Sequence, residues 1–193
     1  MKIPTQGFGV PNGLLAVYIE NRPPLEEFKN LNKIIPLQAG EIDYINQACG
    51  NGWRKVFNVF SKFIAELKHP DHSFTKLPGG DARWQTYRDS TLLQAHSQEA
   101  LLFSAPDLTQ NSYNWHIIAG RTYAKQLLRE QIFTHSLVWL DDEFAIDEKH
   151  NLIICPYFDY RQLSNIKITK LAALVQGGVA GLDMLLSIES TKA

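Results

Sequence analysis

The stretch NLIICPYFDYRQLSN, residues Asn151–Asn165, indicates the fold class of the chain. Its segment Leu152–Cys155 is a short apolar run with a β-branched centre, as expected of a strand buried on both faces. Pro156 has no backbone N–H, so the strand should end there. A polar and aromatic loop follows, and Ser164 or Asn165 can cap the next helix. A buried strand followed by a loop and a capped helix is typical of an α/β protein.

Similar apolar runs and helical patterns occur along the rest of the chain. The clearest helix is predicted over 53–67, where large apolar residues recur every 3.6 residues. We expect a single domain over 1–193, with a three-layer α/β/α fold and a central, mainly parallel sheet of four or five strands. Residues 136–140 are a weaker strand candidate, and 144–150 fit either an edge hairpin or a loop. The other predicted strands are 14–19, 100–103 and 115–119, and the other predicted helices are 25–31, 39–48, 89–96, 123–130, 166–175 and 179–188.

The composition excludes several classes of protein. With 45% hydrophobic and 20% charged residues among 193, the chain can bury a sizeable core. A net charge of −1 argues against a broad basic surface for duplex DNA, although a local positive pocket stays possible. We find no apolar run of membrane-spanning length and no signal-like start, and therefore expect a cytoplasmic protein without a membrane partner. Cys49 and Cys155 are predicted to be free thiols, and His69–His72 lacks the further ligands of a metal site.

Arginines follow three of the four best predicted strands. Ligands of α/β sheets bind beyond the carboxyl ends of the strands, where Arg22, Arg121 and Arg161 are expected. Arginine is suited to bidentate capture of phosphate or carboxylate, and helix N-termini at the same edge favour anions. The alternative is that each arginine pairs with a neighbouring acid, such as Glu20 or Asp159.

A second candidate segment is the polar and aromatic stretch 77–89. Its two glycines allow close backbone approach, and its charged and aromatic residues fit a binding loop, or else an Arg–Asp paired turn held by Trp84. The acidic run Asp141–Glu143 is either a solvated edge or an acid/base pair, so no catalytic residue is assigned. The predicted ligand-binding residues are Asn21, Arg22, Asp81, Arg83, Arg121, Asp159, Tyr160 and Arg161.

Three motifs together resemble the uracil-DNA glycosylase superfamily. AVYIENRPP, Ala16–Pro24, occupies the place of the family's strand and water-positioning loop. IIAGRTYA, Ile117–Ala124, is similar to its apolar–apolar–Gly–x–x–Ala pattern before a helix. IICPYFDYRQLS, Ile153–Ser164, stands where the family has a final strand and a His-Pro-Ser loop. The resemblance implies a glycosylase-like fold that binds a nucleotide or nucleic acid.

The same comparison indicates how the family's chemistry would differ here. The water-positioning residue falls on Arg22, or on Asn21 if the register shifts by one residue. The family's histidine is absent, and only Tyr157 or Asp159 stands near its place. A glycosylase must orient water and stabilise the departing uracil anion, so we expect little or no uracil excision.

The sequence leaves the function open between classes. One hypothesis is a glycosylase-like domain that binds a nucleotide, nucleic acid or another phosphate-bearing ligand at the carboxyl edge of the sheet. Another is a non-catalytic module for protein interaction or self-association. A third is a nucleotide-handling transferase or hydrolase of the doubly wound type. The chain has no GxxxxGKS, GxxxxGKT or GxGxxG motif, so no cofactor is predicted and side chains and helix ends would hold a phosphate.

Overall fold

The computed structural model describes residues 4–67, 83–109, 112–132 and 136–191. These ranges form a mixed α/β fold with eight strands in one sheet and six helices. The strands are β1 Gly7–Gly9, β2 Gly13–Tyr18, β3 Ile34–Ile35, β4 Glu99–Leu102, β5 Tyr113–Ala119, β6 Val138–Trp139, β7 Ala145–Asp147 and β8 Leu152–Cys155. The helices are α1 Glu26–Lys29, α2 Glu41–Cys49, α3 Asn51–Leu67, α4 Trp84–Ser90, α5 Arg121–Arg129 and α6 Asn165–Thr191.

Four parallel strands form the centre of the sheet, in the order β4-β2-β5-β8. They are the four apolar runs from which the α/β fold was predicted, and that prediction is confirmed. Every residue of β4 and β8 is buried, as are the last four of β2 and β5. Because both faces are covered, these strands lack the polar alternation of a half-exposed sheet.

The sheet as a whole differs from the prediction of four or five mainly parallel strands. It has eight strands in the order β3-β1-β4-β2-β5-β8-β7-β6, and three of its pairings are antiparallel. The strands that no prediction named are β1 and β3, whereas β6 lies in the weaker candidate 136–140 and β7, its antiparallel partner, in 144–150; all four are two or three residues long, too short to show a periodic pattern. Two of the three residues of β1 are glycines, so β1 lacks the side chains by which a strand is recognised. Gly9 has φ 107°, and a Cβ there would lie 2.3 Å from the Glu99 carbonyl oxygen.

Helices cover the two faces unequally. One face packs against α1, α2, α3, α4 and α6 in a large apolar cluster, and the other packs against α5 in a smaller one. The aromatic stripe of α3 is confirmed as core, since Phe57, Phe60 and Phe63 are fully buried. The sheet is therefore covered by helices on both faces, and the apolar residues between the layers form the core.

The segment before β4 was predicted incorrectly. A helix was expected over 89–96, but α4 ends at Ser90, and turns and a single bridge at Gln94 follow. Leu93 has φ 60°, which no α-helix accommodates. The inward residue of the real helix is Tyr87, whose hydroxyl donates to Glu99 at 2.8 Å. That buried hydrogen bond ties α4 to β4.

The C-terminal helix α6 consists of two segments joined at Gly178, which has φ 59° and ψ −147°. The Glu148 carboxylate accepts the Val179 N–H at 2.9 Å, and a Cβ on residue 178 would lie 2.3 Å from that carboxylate. By length and composition alone, Asn165–Leu185 could cross a membrane, with a mean hydropathy of 1.3. Of that stretch 39% is buried inside the fold, and its first segment contributes Leu171 and Leu174 to the large core.

Candidate functional site

A cavity opens at the carboxyl edge of the sheet, between the ends of β2 and β5. The chain leaves β2 toward helices on one face and leaves β5 into α5 on the other. Diverging connections of this kind create the crevice in which α/β sheets commonly bind ligands. The cavity, named here the crevice cavity, measures about 260 Å³. Its lining residues are Glu20, Asn21, Ala119, Gly120, Arg121, Thr122, Tyr123, Tyr157 and Gln162.

The start of α5 forms part of the wall of this cavity. Gly120 has φ 114°, a conformation that favours glycine, and makes no side-chain cap to the helix. Its own N–H donates to the Cys155 carbonyl at 2.9 Å. Residues 121–123, the first turn, all line the cavity, and the first N–H groups of a helix lack intrahelical acceptors. The cavity therefore receives the positive end of the α5 dipole.

Arg121 adds a full positive charge to the same place. Its side chain is exposed, and its Nη1 donates to the backbone carbonyl of Asp142 at 2.8 Å. That acceptor is a neutral carbonyl, and no ion pair of Arg121 occurs in the part of the chain that the structure describes. The guanidinium is thus positioned by the protein without being neutralised by a carboxylate.

Tyr157 and Asn21 form the opposite wall of the crevice cavity. Burial raises the pKa of the Tyr157 phenol, while the neighbouring Asn21 side chain lowers it in part. The phenol therefore stays protonated at neutral pH and can donate a hydrogen bond. The Glu20 carboxylate also lies near Tyr157 and Tyr123, since its charge contributes to the raised pKa of both phenols. This wall suits hydroxyl and amide groups more than anions.

Two of the eight predicted ligand-binding residues, Asn21 and Arg121, are brought together here. Arg22 is half-buried and is directed to the end of α1, where its Nη1 donates to the Lys29 carbonyl at 2.8 Å. Arg83 is exposed and immediately precedes α4. Asp81, like the glycines before it and the segment His69–His72, lies outside the described residues. Arg22 and Arg83 do not line the crevice cavity.

The predicted residues after β8 form a separate surface group. Asp159 pairs with Lys55 of α3, with 2.8 Å between Oδ2 and Nζ. Burial alone would raise the Asp159 pKa, but hydrogen bonds from Lys55 and the Arg161 N–H outweigh it, so the pKa is lowered. Tyr160 is 55% exposed, and the Lys55 and Arg161 cations lie 5.1 and 5.9 Å from its ring centre. These residues join the loop to α3 and do not line the crevice cavity.

The acidic run after β6 is structural in part. Asp141 accepts hydrogen bonds from the backbone N–H groups of Glu143 and Phe144, closing the turn into β7. Asp141 also pairs with Lys170, and Glu143 pairs with Lys167 on α6. The solvated-edge interpretation therefore fits better than an acid/base pair, with the difference that cations of α6 compensate the charge.

A second cavity lies on the face of the sheet that carries α5, and the sequence analysis did not identify it. This histidine cavity measures about 480 Å³ and is lined by Pro4, Thr5, Pro11, Asn12, Tyr18, Asn32, Lys33, Ile34, Ala105, Asp107, Ser112, Tyr113 and His116. His116 is 5% exposed, and its Nδ1 lies 2.8 Å from the Tyr18 hydroxyl. The two rings stack with centres 5.8 Å apart.

The buried groups of the histidine cavity are uncharged at neutral pH. Burial, with a smaller contribution from His150, lowers the pKa of His116 to about 4. Burial also raises the pKa of the Tyr18 phenol. Either a phenol or a neutral imidazole can be the donor of this hydrogen bond, and a Tyr18 hydroxyl that donates to Nδ1 leaves the ring proton of His116 on Nε2. A polar residue within the apolar run 115–119 was the available signal, but only the pairing of Ala16 with His116 places it beside Tyr18.

Comparison with known proteins identifies a family, but the description of that family names no activity. A family model described as "Family of unknown function (DUF6942)" matches residues 6–176, most of the 193. Neither a curated protein nor a solved structure matches the chain. The matched range contains every residue that lines the crevice cavity.

Proposed function

We propose that the chain, which belongs to the DUF6942 family of unknown function, binds a nucleotide or another phosphate-bearing ligand in the crevice cavity. The observation that carries this proposal is the position of Arg121. Arg121 is the first residue of α5 and lines a cavity at the carboxyl edge, and its exposed side chain has no carboxylate partner among the described residues. Side-chain charge and helix dipole thus favour an anion at the same point.

The two ends of the cavity suggest how such a ligand is oriented. A phosphate would be repelled by Glu20, whose charge acts on both Tyr123 and Tyr157, so we place it beside the Arg121 guanidinium. Asn21, Gln162 and Tyr157 then face the uncharged part, where amide and hydroxyl groups can pair with sugar hydroxyls or a base edge. A volume of about 260 Å³ is close to the lower bound of about 300 Å³ for ligand pockets and suits a mononucleotide or sugar phosphate.

The proposed glycosylase-like character concerns architecture and binding. The parallel centre β4-β2-β5-β8 and the position of Asn21 beside the crevice support it. Among the described residues, no histidine lines the crevice cavity, and Tyr157 is the one neutral O–H donor that the segment after β8 contributes to it. We therefore propose binding without uracil excision, with Asn21 as a polar contact.

Replacing Arg121 with alanine tests the proposal directly. Calorimetric titration with inorganic phosphate and with uridine and adenosine monophosphates should show affinity about 10- to 150-fold weaker than in the parent protein, the loss expected for a charged hydrogen bond. Added salt should weaken the parent's binding, because part of the attraction is Coulombic.

The matched control is Arg129→Ala, which removes an exposed arginine from the last turn of the same helix. This variant should bind as the parent does. Equal affinity in Arg121→Ala and the parent, or an equal loss in the two variants, would contradict a phosphate site at the start of α5.

A second candidate function is self-association through the sheet edge. Strand β6 ends the sheet, and its side chains Val138 and Trp139 are 58% and 41% exposed. An exposed apolar edge strand can pair with another strand. Analytical ultracentrifugation of the parent protein and of Val138→Lys tests this function. Concentration-dependent dimerisation that the substitution abolishes would support self-association through β6. A monomer in both proteins would oppose it.

A further inference from the structure

We propose that the histidine cavity is a second ligand site, which takes a small uncharged molecule carrying a hydrogen-bond acceptor such as a carbonyl oxygen or an unprotonated ring nitrogen. The site shares no lining residue with the crevice cavity, so the inference does not depend on phosphate binding. The observation behind it is the His116 imidazole, which belongs to a residue only 5% exposed, lines the cavity and has one ring nitrogen without a partner among the described residues.

The proposal assigns the ring proton of His116 to Nε2, with the Tyr18 hydroxyl as the donor to Nδ1. The Nδ1 of His116 is occupied by the Tyr18 hydroxyl at 2.8 Å, and Nε2 has no partner in the described ranges of the chain. The residue is more than nine-tenths buried, and it lines the cavity. Since no described residue accepts from it, an Nε2–H is available to an acceptor that enters the cavity and displaces water. The Tyr18 hydroxyl fixes which nitrogen carries the proton and acts as a positioning group.

The walls around this donor select for an uncharged and flat molecule. The Tyr18 ring stacks on His116 with an interplanar angle of 22°, and the Tyr113 ring meets it edge-on at 86°. The Tyr113 hydroxyl is turned away, donating to the Val10 carbonyl at 2.8 Å. The deep end thus consists of aromatic surface and one donor. A charged group placed there would lose hydration without gaining a counter-charge.

Charge at the rim of the cavity is balanced. Lys33 and Asp107 are the charged residues that line it, one of each sign, and Asp107 also accepts the Thr109 N–H at 3.1 Å. Burial is the main cause of the raised pKa of the Tyr18 phenol, and the Asp107 charge adds to it, so the Asp107 carboxylate disfavours an anion at the Tyr18 end of the cavity. A volume of about 480 Å³ lies within the usual range of small-molecule pockets, about 300–1,000 Å³. Size, neutrality and a single deep donor define the ligand class.

Nitrogen-detected NMR of the imidazole rings tests the proposal with simple probes. Benzamide and 2-pyridone supply a carbonyl acceptor, ethylbenzene lacks one, and benzoate carries a charge. We expect His116 to be the Nε2–H tautomer and its Nε2 signal to shift with benzamide and 2-pyridone up to about 10 mM, a range that detects millimolar dissociation constants. Ethylbenzene and benzoate should bind at least about tenfold more weakly.

Two pairs of variants complete the test. His116→Phe keeps a ring but removes the donor and should abolish benzamide binding, whereas His96→Phe changes an exposed histidine outside the cavity and should leave it intact. If His116→Phe does not fold, Tyr18→Phe replaces it as the test variant and Tyr113→Phe is its control. The two variants are matched, because each removes one buried hydroxyl. Only Tyr18→Phe frees Nδ1, so only it should weaken benzamide binding, by about three- to tenfold.

Three outcomes would overturn the inference. These are an Nδ1–H tautomer of His116, the absence of any shift with the carbonyl probes, and benzoate binding as tightly as benzamide. The second outcome would mean that water alone satisfies the donor. Phosphate titration followed at the Gly120 amide reports on the crevice cavity separately, so the failure of one site is distinguishable from the failure of the other.

Discussion

Replacing Phe60 with alanine tests whether the packing of α3 supports the crevice wall. The Phe60 ring is fully buried and meets the Phe158 ring edge-to-face, with centres 5.5 Å apart at 72°. Phe158 lies next to Tyr157, so the same contact anchors the loop that walls the crevice cavity. Truncating a buried phenylalanine costs about 3–5 kcal/mol of unfolding free energy. Of this, the lost aromatic pair accounts for about 0.5–1.5 kcal/mol.

Urea denaturation followed by tryptophan fluorescence measures the effect. With a urea dependence of about 2–3 kcal/mol per molar, the unfolding midpoint of Phe60→Ala should fall by about 1–2.5 M. The control is Arg54→Ala, an exposed position on the same helix, for which a change within about 0.5 kcal/mol is expected. Phosphate affinity should also fall in Phe60→Ala, because Tyr157 loses its support. A stability loss below about 1 kcal/mol would refute the core assignment of Phe60, and unchanged phosphate affinity would refute its link to the crevice.

Three further predictions concern chemistry at single positions. Uracil-containing single-stranded DNA should be left intact, and robust excision would show that Asn21 and Tyr157 suffice for catalysis. Thiol reagents should label native Cys155 slowly, because the residue is fully buried and burial raises its pKa, and should label half-buried Cys49 faster; the reverse order would contradict the central position of β8. The Asp159 pKa is lowered in the folded state, so the stability that Asp159 adds over Asp159→Asn should be present above pH ~4 and vanish as the pH falls further. A gap between the two unfolding curves that does not change between pH 7 and pH 3 would contradict this sign.

The centre of the fold was predictable because its signals are local. Strands β2, β4, β5 and β8 are continuous apolar runs, and α3 repeats large side chains over seventeen residues. The short strands β1 and β3 carry no such signal, and the stretches that contain β6 and β7 carry only a weak one, since all four strands are held by pairing to longer neighbours. Pairing depends on contacts between residues distant in sequence, which a local pattern does not contain.

A site residue could be placed from the sequence only where it directly follows the end of a predicted strand. Arg121 directly follows the Gly120 turn, so its place at the start of α5 could be inferred. Arg22 lies two residues beyond the crevice-lining Glu20, and that distance suffices to direct it to α1. His116 and Tyr18 meet because β2 and β5 are adjacent in a particular register, which the sequence does not specify by itself.

The central place of β2 has a consequence for the order in which the chain is assembled. Leu15 pairs with Glu99 on one side and with Trp115 on the other, and α2, α3 and α4 are all encoded between β2 and those partners. At a synthesis rate of about 5–20 residues per second, β2 emerges from the ribosome roughly 4–17 s before its first central neighbour. During that interval its apolar surface has only the helices that follow it to pack against. The nascent chain can therefore pack the helices before β4 onto β2 ahead of the central strand pairings, and α6, encoded after β8, completes that helical layer last.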